Sequence, residues 1–214
     1  MKGVIVLKRF AFLTLAIASP VLAQDEDESF DPASVSVTDA INCHLDAPTY
    51  NGFAISISGE DGVAAQLGWV KIETDNRFLL EYRLPEPIEV TGTWQTDHIA
   101  FSSSGILAVL DEPDPAVIAD VEGIANEMDA EPLIAEIVAS GAATRAEVES
   151  EITFRKFLGQ RVLVDVVEPA EMPGGFGTHT VIARSVSNAT SHPGKTLYGC
   201  SYRIELLDAQ GNSL

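Results

Sequence analysis

The stretch TLYGCSYRIELL, Thr196–Leu207, decides how the chain is read. Tyr198, Cys200, Tyr202, Ile204 and Leu206 fall on one side, and Ser201, Arg203 and Glu205 on the other. A period of two marks a strand with one face against a core. The apolar face carries a cysteine, and the only other cysteine, Cys43, lies 157 positions earlier. Two cysteines are too few for a four-cysteine zinc site, and their spacing is not C-x-x-C. In an oxidising compartment a single pair is expected to bridge, leaving no odd thiol. A Cys43–Cys200 disulfide would tie the N-terminal segment to the last strand, where fraying is otherwise easiest.

The compartment follows from the N-terminus. MKGVIVLKRFAFLTLAIASPVLAQ places Lys2, Lys8 and Arg9 ahead of an apolar run, then Val21-Leu22-Ala23 before Gln24. Basic start, apolar centre and small residues at −3 and −1 are the layout of a secretory signal, with cleavage between Ala23 and Gln24. The uncharged stretch is shorter than the roughly 20 residues a membrane helix needs. The mature chain is therefore expected to be periplasmic or secreted, with no membrane span. Three of the 13 basic residues and none of the 32 acidic ones precede the cut, so the formal charge falls from −19 to −22. Such a surface excludes nucleic acid as a partner. A cationic or apolar protein, or a small ligand, is the expected partner class.

Outward from the last strand, the reading is α+β: two β groups separated by a helical segment, with short helices at the N-terminus. Residues 24–34, QDEDESFDPAS, read as an acidic disordered tail before a single domain over 35–214. Thr38 is placed as the cap of a helix carrying Cys43. Asp46 with Pro48 opens another, whose Tyr50, Phe53, Ala54 and Ile57 share a face. LGWVKIE, RFLLEYRL, IEVTGTW, HIAFSS and ILAVLD form a meander of about five strands, broken at Pro85 and Pro87. A helical insert over about 114–141 follows, opened by Asp114-Pro115 and closed by Gly141. EVESEITFRKF, RVLVDVVE, THTVIARSVS and TLYGCSYRIELL make the second β group. Thr144 and Glu147 match a capping box, yet the alternation of Val148, Ile152 and Phe154 argues for a strand. Gly159-Gln160 is placed in a hairpin turn. The sequence leaves open whether the two groups share a sheet.

Motifs that carry chemistry are absent. His44, His98, His179 and His192 have no metal-ligand spacing to one another, to cysteine or to glutamate, so no metal, cofactor or catalytic residue is assigned; ligands gathered only in space stay open. Ser102 to Ser104 lack the glycine of a nucleophile elbow. Glu81 and Arg83, two apart on one strand face, read as a surface ion pair. Trp69 and Trp94 read as core or half-buried. Asn188-Ala189-Thr190 is a glycosylation sequon, discounted because the signal is of bacterial type. Phe176 and His179, in and beside the glycine-rich connection EMPGGFGTHT, are the candidate binding residues, since loops on a rigid sheet are where binding groups collect. The reading is an exported soluble bacterial protein acting as a non-catalytic binding or envelope-interaction domain. The alternative is a hydrolase assembled from distant loops.

Overall fold

The computed structural model describes residues 30–214, apart from residues 75, 129, 153, 171 and 173. The expected signal and its Ala23–Gln24 junction lie outside the described residues.

Seven strands form one antiparallel sheet. They are β1 (Val70–Ile72), β2 (Leu80–Thr91), β3 (Trp94–Phe101), β4 (Gly105–Leu110), β5 (Leu158–Glu168), β6 (Gly177–Ser187) and β7 (Thr196–Leu207), in spatial order β1-β2-β3-β4-β7-β6-β5. Each β group is a meander, and β7 fuses them by pairing with β4 over Thr196–Ser201 and with β6 over Leu197–Leu207. The two groups therefore share a sheet. The first has four strands, because residues 80–91 run as one strand through Pro85 and Pro87. The prolines leave their mark as a lapse in the β2–β3 register between Arg83 and Ile88, where two N–H donors are missing. Gly92, at φ 53°, then makes the tight turn into β3.

One face of the sheet carries the main core. Tyr82, Leu84, Ile99, Phe101, Ile106, Ala108, Tyr198, Cys200 and Tyr202 point to it and meet Ile41, Tyr50 and Phe53 from α1 (Val37–Ile41) and α2 (Ala47–Ile55). Tyr50 stacks on Tyr202 with ring centroids 4.2 Å apart, and the Tyr202 hydroxyl donates to the Ala40 carbonyl at 2.7 Å. Asp46 caps α2, as its position before Ala47-Pro48 requires. The first helix is capped by Ser36 rather than Thr38 and ends at Ile41. Cys43 thus sits beyond the helix, in a left-handed turn at φ 60°, and from there it bonds Cys200 with Cα atoms 5.3 Å apart. Trp69 packs against Tyr82 and Phe101, and Trp94 lies half-buried on the same core.

Three other expectations are corrected. Residues 32–34 form a 3₁₀ turn capped by Asp31, so order begins inside the stretch read as a tail. Arg145–Glu151 is a helix, α6, not a strand: the Thr144 and Glu147 side chains close both halves of the capping box, and Val148 and Ile152, four apart, serve a helical face equally well. It follows α3 (Val63–Gln66), α4 (Pro115–Glu122) and α5 (Glu131–Ala139) in the chain. Gly159 and Gln160 lie inside β5, not in a turn. A Cβ on Gly159 would stand 2.2 Å from the Ala125 carbonyl oxygen, so this glycine serves a close approach of the segment after α4. No helix among the described residues is long and apolar enough to cross a membrane.

Candidate functional site: a buried glutamate between two histidines

Strand alternation puts Glu81, on β2, and His98, on β3, on the face opposite the main core. That face is apolar at its centre, where Ala100, Val109 and Leu197 form a second buried cluster. The β6–β7 connection, residues 188–195, folds over this cluster and packs Ala189 on it. Its His192 N–H donates to the Ala189 carbonyl and its carbonyl accepts from the Lys195 N–H, a tight turn that sends the imidazole down toward the sheet.

The result is a three-residue centre. His98 Nε2 is 2.8 Å from Glu81 Oε2, and His192 Nε2 is 3.1 Å from the same oxygen. The donor atoms of all three residues lie within 4.8 Å of one another. Glu81 is 2% exposed and His192 7%, while the His98 side chain is 21% exposed. Among the described residues the other carboxylate oxygen, Oε1, is buried with no hydrogen bond of ordinary geometry, although the Thr74 side chain also favours the ionised carboxylate. No lysine or arginine of the described residues pairs with Glu81; Arg83 turns instead to Asp97, at 2.7 Å. The expected Glu81–Arg83 surface pair is therefore not formed.

Secondary contacts hold both imidazoles. The buried Thr96 hydroxyl accepts from the His98 N–H at 2.9 Å and donates to the Val109 carbonyl at 2.7 Å, fixing the strand under that ring. Ser191 Oγ lies 3.0 Å from His192 Nδ1 and accepts from Asn76 Nδ2 at 3.1 Å. A hydroxyl can donate to or accept from Nδ1, so this contact suits His192 with its proton on either nitrogen. Burial alone would raise the Glu81 pKa. The hydrogen bonds from His192 and His98 and the charge of His192 outweigh it, and the pKa falls below the ordinary carboxylate range. Burial is also the largest influence on His98 and lowers its pKa; the Glu81 contacts push back without overcoming it. The balance is a carboxylate facing a neutral imidazole, the protonation states in which both are ligands.

Two imidazole nitrogens and a carboxylate are a donor set for zinc and its first-row neighbours, not for calcium, which takes oxygen. Tetrahedral bonds of about 2.0–2.1 Å to nitrogen and oxygen imply ligand-to-ligand edges of about 3.3–3.4 Å. The two Glu81–imidazole separations of 2.8 and 3.1 Å must widen by a few tenths of an ångström to match those edges, and the two imidazole nitrogens lie within 4.8 Å of each other. Two clefts flank the centre. One of about 420 Å³ reaches His98, and one of about 390 Å³ reaches His192. Lys195 lines both and pairs with Asp111.

The residues singled out from sequence lie elsewhere. Phe176 is 62% exposed beside the β5–β6 connection. His179, inside β6, bonds Asp165 Oδ1 at 2.8 Å across the β5–β6 pairing. Both sit several strands from Glu81 and do not join its cluster. Asn188 is buried with both amide atoms engaged: Oδ1 accepts from the Phe157 N–H and Nδ2 donates to the Arg155 carbonyl, so the sequon asparagine is a structural residue. The metal-type centre escaped local spacing because its members are separated by 17 and 94 positions. A signal for it existed. Leu107 and Val109 alternate with Ile106, Ala108 and Leu110, making β4 apolar on both faces, and a strand apolar on both faces must be covered on both.

Comparison with protein-family models, with curated proteins and with solved structures returned no match. The functional reading rests on this geometry.

Proposed function

We propose that the chain is an exported, non-catalytic binding domain whose ligand is a divalent transition-metal ion of the zinc class, held by Glu81, His98 and His192. The observation that carries the reading is the state of Glu81: a nearly inaccessible carboxylate with no lysine or arginine partner among the described residues, and with one oxygen faced by two imidazole nitrogens. The two imidazoles hold this carboxylate below its ordinary pKa, and a cation among the three groups would exchange their hydrogen bonds for metal bonds. The class of ligand agrees with a strongly acidic chain that draws cations. The disulfide is compatible with export, and the signal at the N-terminus supports it. Mass spectrometry of the mature protein from a producing cell is expected to give Gln24 as its first residue.

Calorimetric titration of the chelator-treated protein with zinc is expected to give one site per chain. His98→Ala and His192→Ala are each expected to weaken it at least 10-fold, in line with the loss of one ligand. Absence of saturable binding of zinc, cobalt or nickel to the folded wild type would contradict the proposal.

One observation favours a hydrolase as the second reading. Three protein ligands leave a coordination position for water, as catalytic zinc sites do. The centre is flanked by the cleft of about 420 Å³ at His98 and the cleft of about 390 Å³ at His192, which give a substrate two approaches. Zinc-dependent turnover of ester or phosphoester substrates, abolished by Glu81→Gln, would replace binding by catalysis.

A further inference from the structure

In a chain with 13 basic residues against 32 acidic ones, three cationic side chains converge on the cleft of about 390 Å³ beside His192. They are Arg155, Lys156 and Lys195, and the one carboxylate on the same wall among the described residues, Asp114, is engaged in capping α4 through the Ala116 N–H. Phe154 and Phe157 form the apolar part of the lining. Lys156 is the informative member. Its ammonium donates to the Asn188 backbone carbonyl and pairs with no carboxylate among the described residues. Burial lowers its pKa. The other two cations do have acidic neighbours: Lys195 pairs with Asp111, and Arg155 stands 3.7 Å from Glu149.

The floor of the cleft is fixed in advance. Asn188 binds the chain at Arg155 and Phe157 through its side-chain amide, and its own N–H donates to the Phe157 carbonyl at 3.2 Å. Residues 155–157 are thus wired to the β6–β7 connection, and their side chains are presented on a fixed backbone. A fixed scaffold lowers the ordering cost of binding. The volume falls in the range of small-molecule sites, roughly 300–1,000 Å³.

We infer that this cleft is a binding site for a small organic anion, a carboxylate or phosphate monoester carrying an aromatic or other compact apolar group. The acid group meets Lys156 and Arg155, and the apolar part lies against Phe154 and Phe157. The site goes beyond the metal reading and stands without it, because none of these four residues belongs to the Glu81 centre.

The experiment uses metal-free protein in chelator, so that failure of the metal site leaves it unaffected. Phenyl phosphate and benzoate are titrated and followed by calorimetry and by ligand-observed NMR, with benzyl alcohol as the uncharged control. Saturable one-to-one binding of at least one anion is expected, with none of the alcohol. Whichever of the two binds more tightly identifies the acid group the cleft prefers. Lys156→Met is expected to weaken that binding at least 10-fold. The exposed Arg155→Ala, which spares the fold, is expected to weaken it several-fold. No saturable anion binding to the folded wild type would overturn the assignment. So would binding that survives both Arg155→Ala and Lys156→Met, or equal binding of the alcohol.

Discussion

His98 reaches Glu81 diagonally across the β2–β3 pairing. The register sets Arg83 opposite His98 and Ala100 opposite Glu81, and the two-residue offset is closed by the side chains, Nε2 to Oε2, at 2.8 Å. Ala100, fully buried and small, leaves room over the sheet where the carboxylate lies. On the other face a second buried carboxylate, Glu122, shows what full compensation looks like. It takes Arg184 at 2.6 Å, the Thr91 hydroxyl at 2.9 Å and the Tyr198 hydroxyl at 3.2 Å. Both carboxylates are held ionised, but only Glu122 has an arginine to neutralise it.

One substitution probes the Glu81 centre. Glu81→Gln is expected to lower the metal-free melting temperature modestly at pH 7, since the hydrogen bonds of His192 and His98 favour the ionised carboxylate and hold its pKa down. Zinc at 100 times its Kd should stabilise the wild type by about 2.7 kcal/mol and the variant far less. Equal stabilisation of wild type and variant by zinc would show that Glu81 is not a ligand.

Glu122→Gln is expected to cost about 3–5 kcal/mol at pH 7, because Arg184 is left buried and unpaired. The pKa of Glu122 is lowered: burial, the largest influence, raises it, and the hydrogen bond and charge of Arg184, with the hydroxyls of Thr91 and Tyr198, more than reverse this. A depressed folded pKa means the contribution is complete above the ordinary value of 4.5 and is lost as pH falls through the folded value. Urea denaturation at pH 7, 5, 4 and 3 should show the difference between wild type and variant shrinking only below about pH 4.5.

Reduction of Cys43–Cys200 opens a loop of 157 positions, for which the chain-entropy relation gives about 5 kcal/mol as an upper value. The reduced protein is expected to melt well below the oxidised one, and the native oxidised protein to offer no thiol to a labelling reagent. Equal melting temperatures would show that α1 and α2 hold to β7 through packing alone.

Gly159→Ala forces a Cβ to within 2.2 Å of the Ala125 carbonyl, so the segment after α4 must lift from β5. A loss of about 1–3 kcal/mol or more is expected by chemical denaturation. An unchanged stability for Gly159→Ala would contradict the close approach of the Ala125 carbonyl to β5.

The fold class, the helix opened by Asp46 and the bridge were legible because each rests on a local pattern: period two in β7, a cap followed by proline, and a count of cysteines. Legibility failed where the deciding contact was distant. Val148 and Ile152 satisfy helix and strand spacing alike, and only the closed capping box at Thr144 separates them. Glu81 looked like one half of a surface pair because nothing near it in sequence reveals that the β6–β7 connection will cover it. The Asn, Ser, His, Pro and Gly content of residues 188–195 is that of a surface loop, whereas the apolar back face of β4 and β7 draws that segment down and buries His192 with it.

The most direct measurement is anomalous diffraction at the zinc edge from crystals of the zinc-loaded protein. One peak is expected, about 2.0–2.2 Å from His98 Nε2, His192 Nε2 and a Glu81 carboxylate oxygen. The contradicting result is a loaded crystal with no peak at this point, the two imidazoles still hydrogen-bonded to Glu81 Oε2.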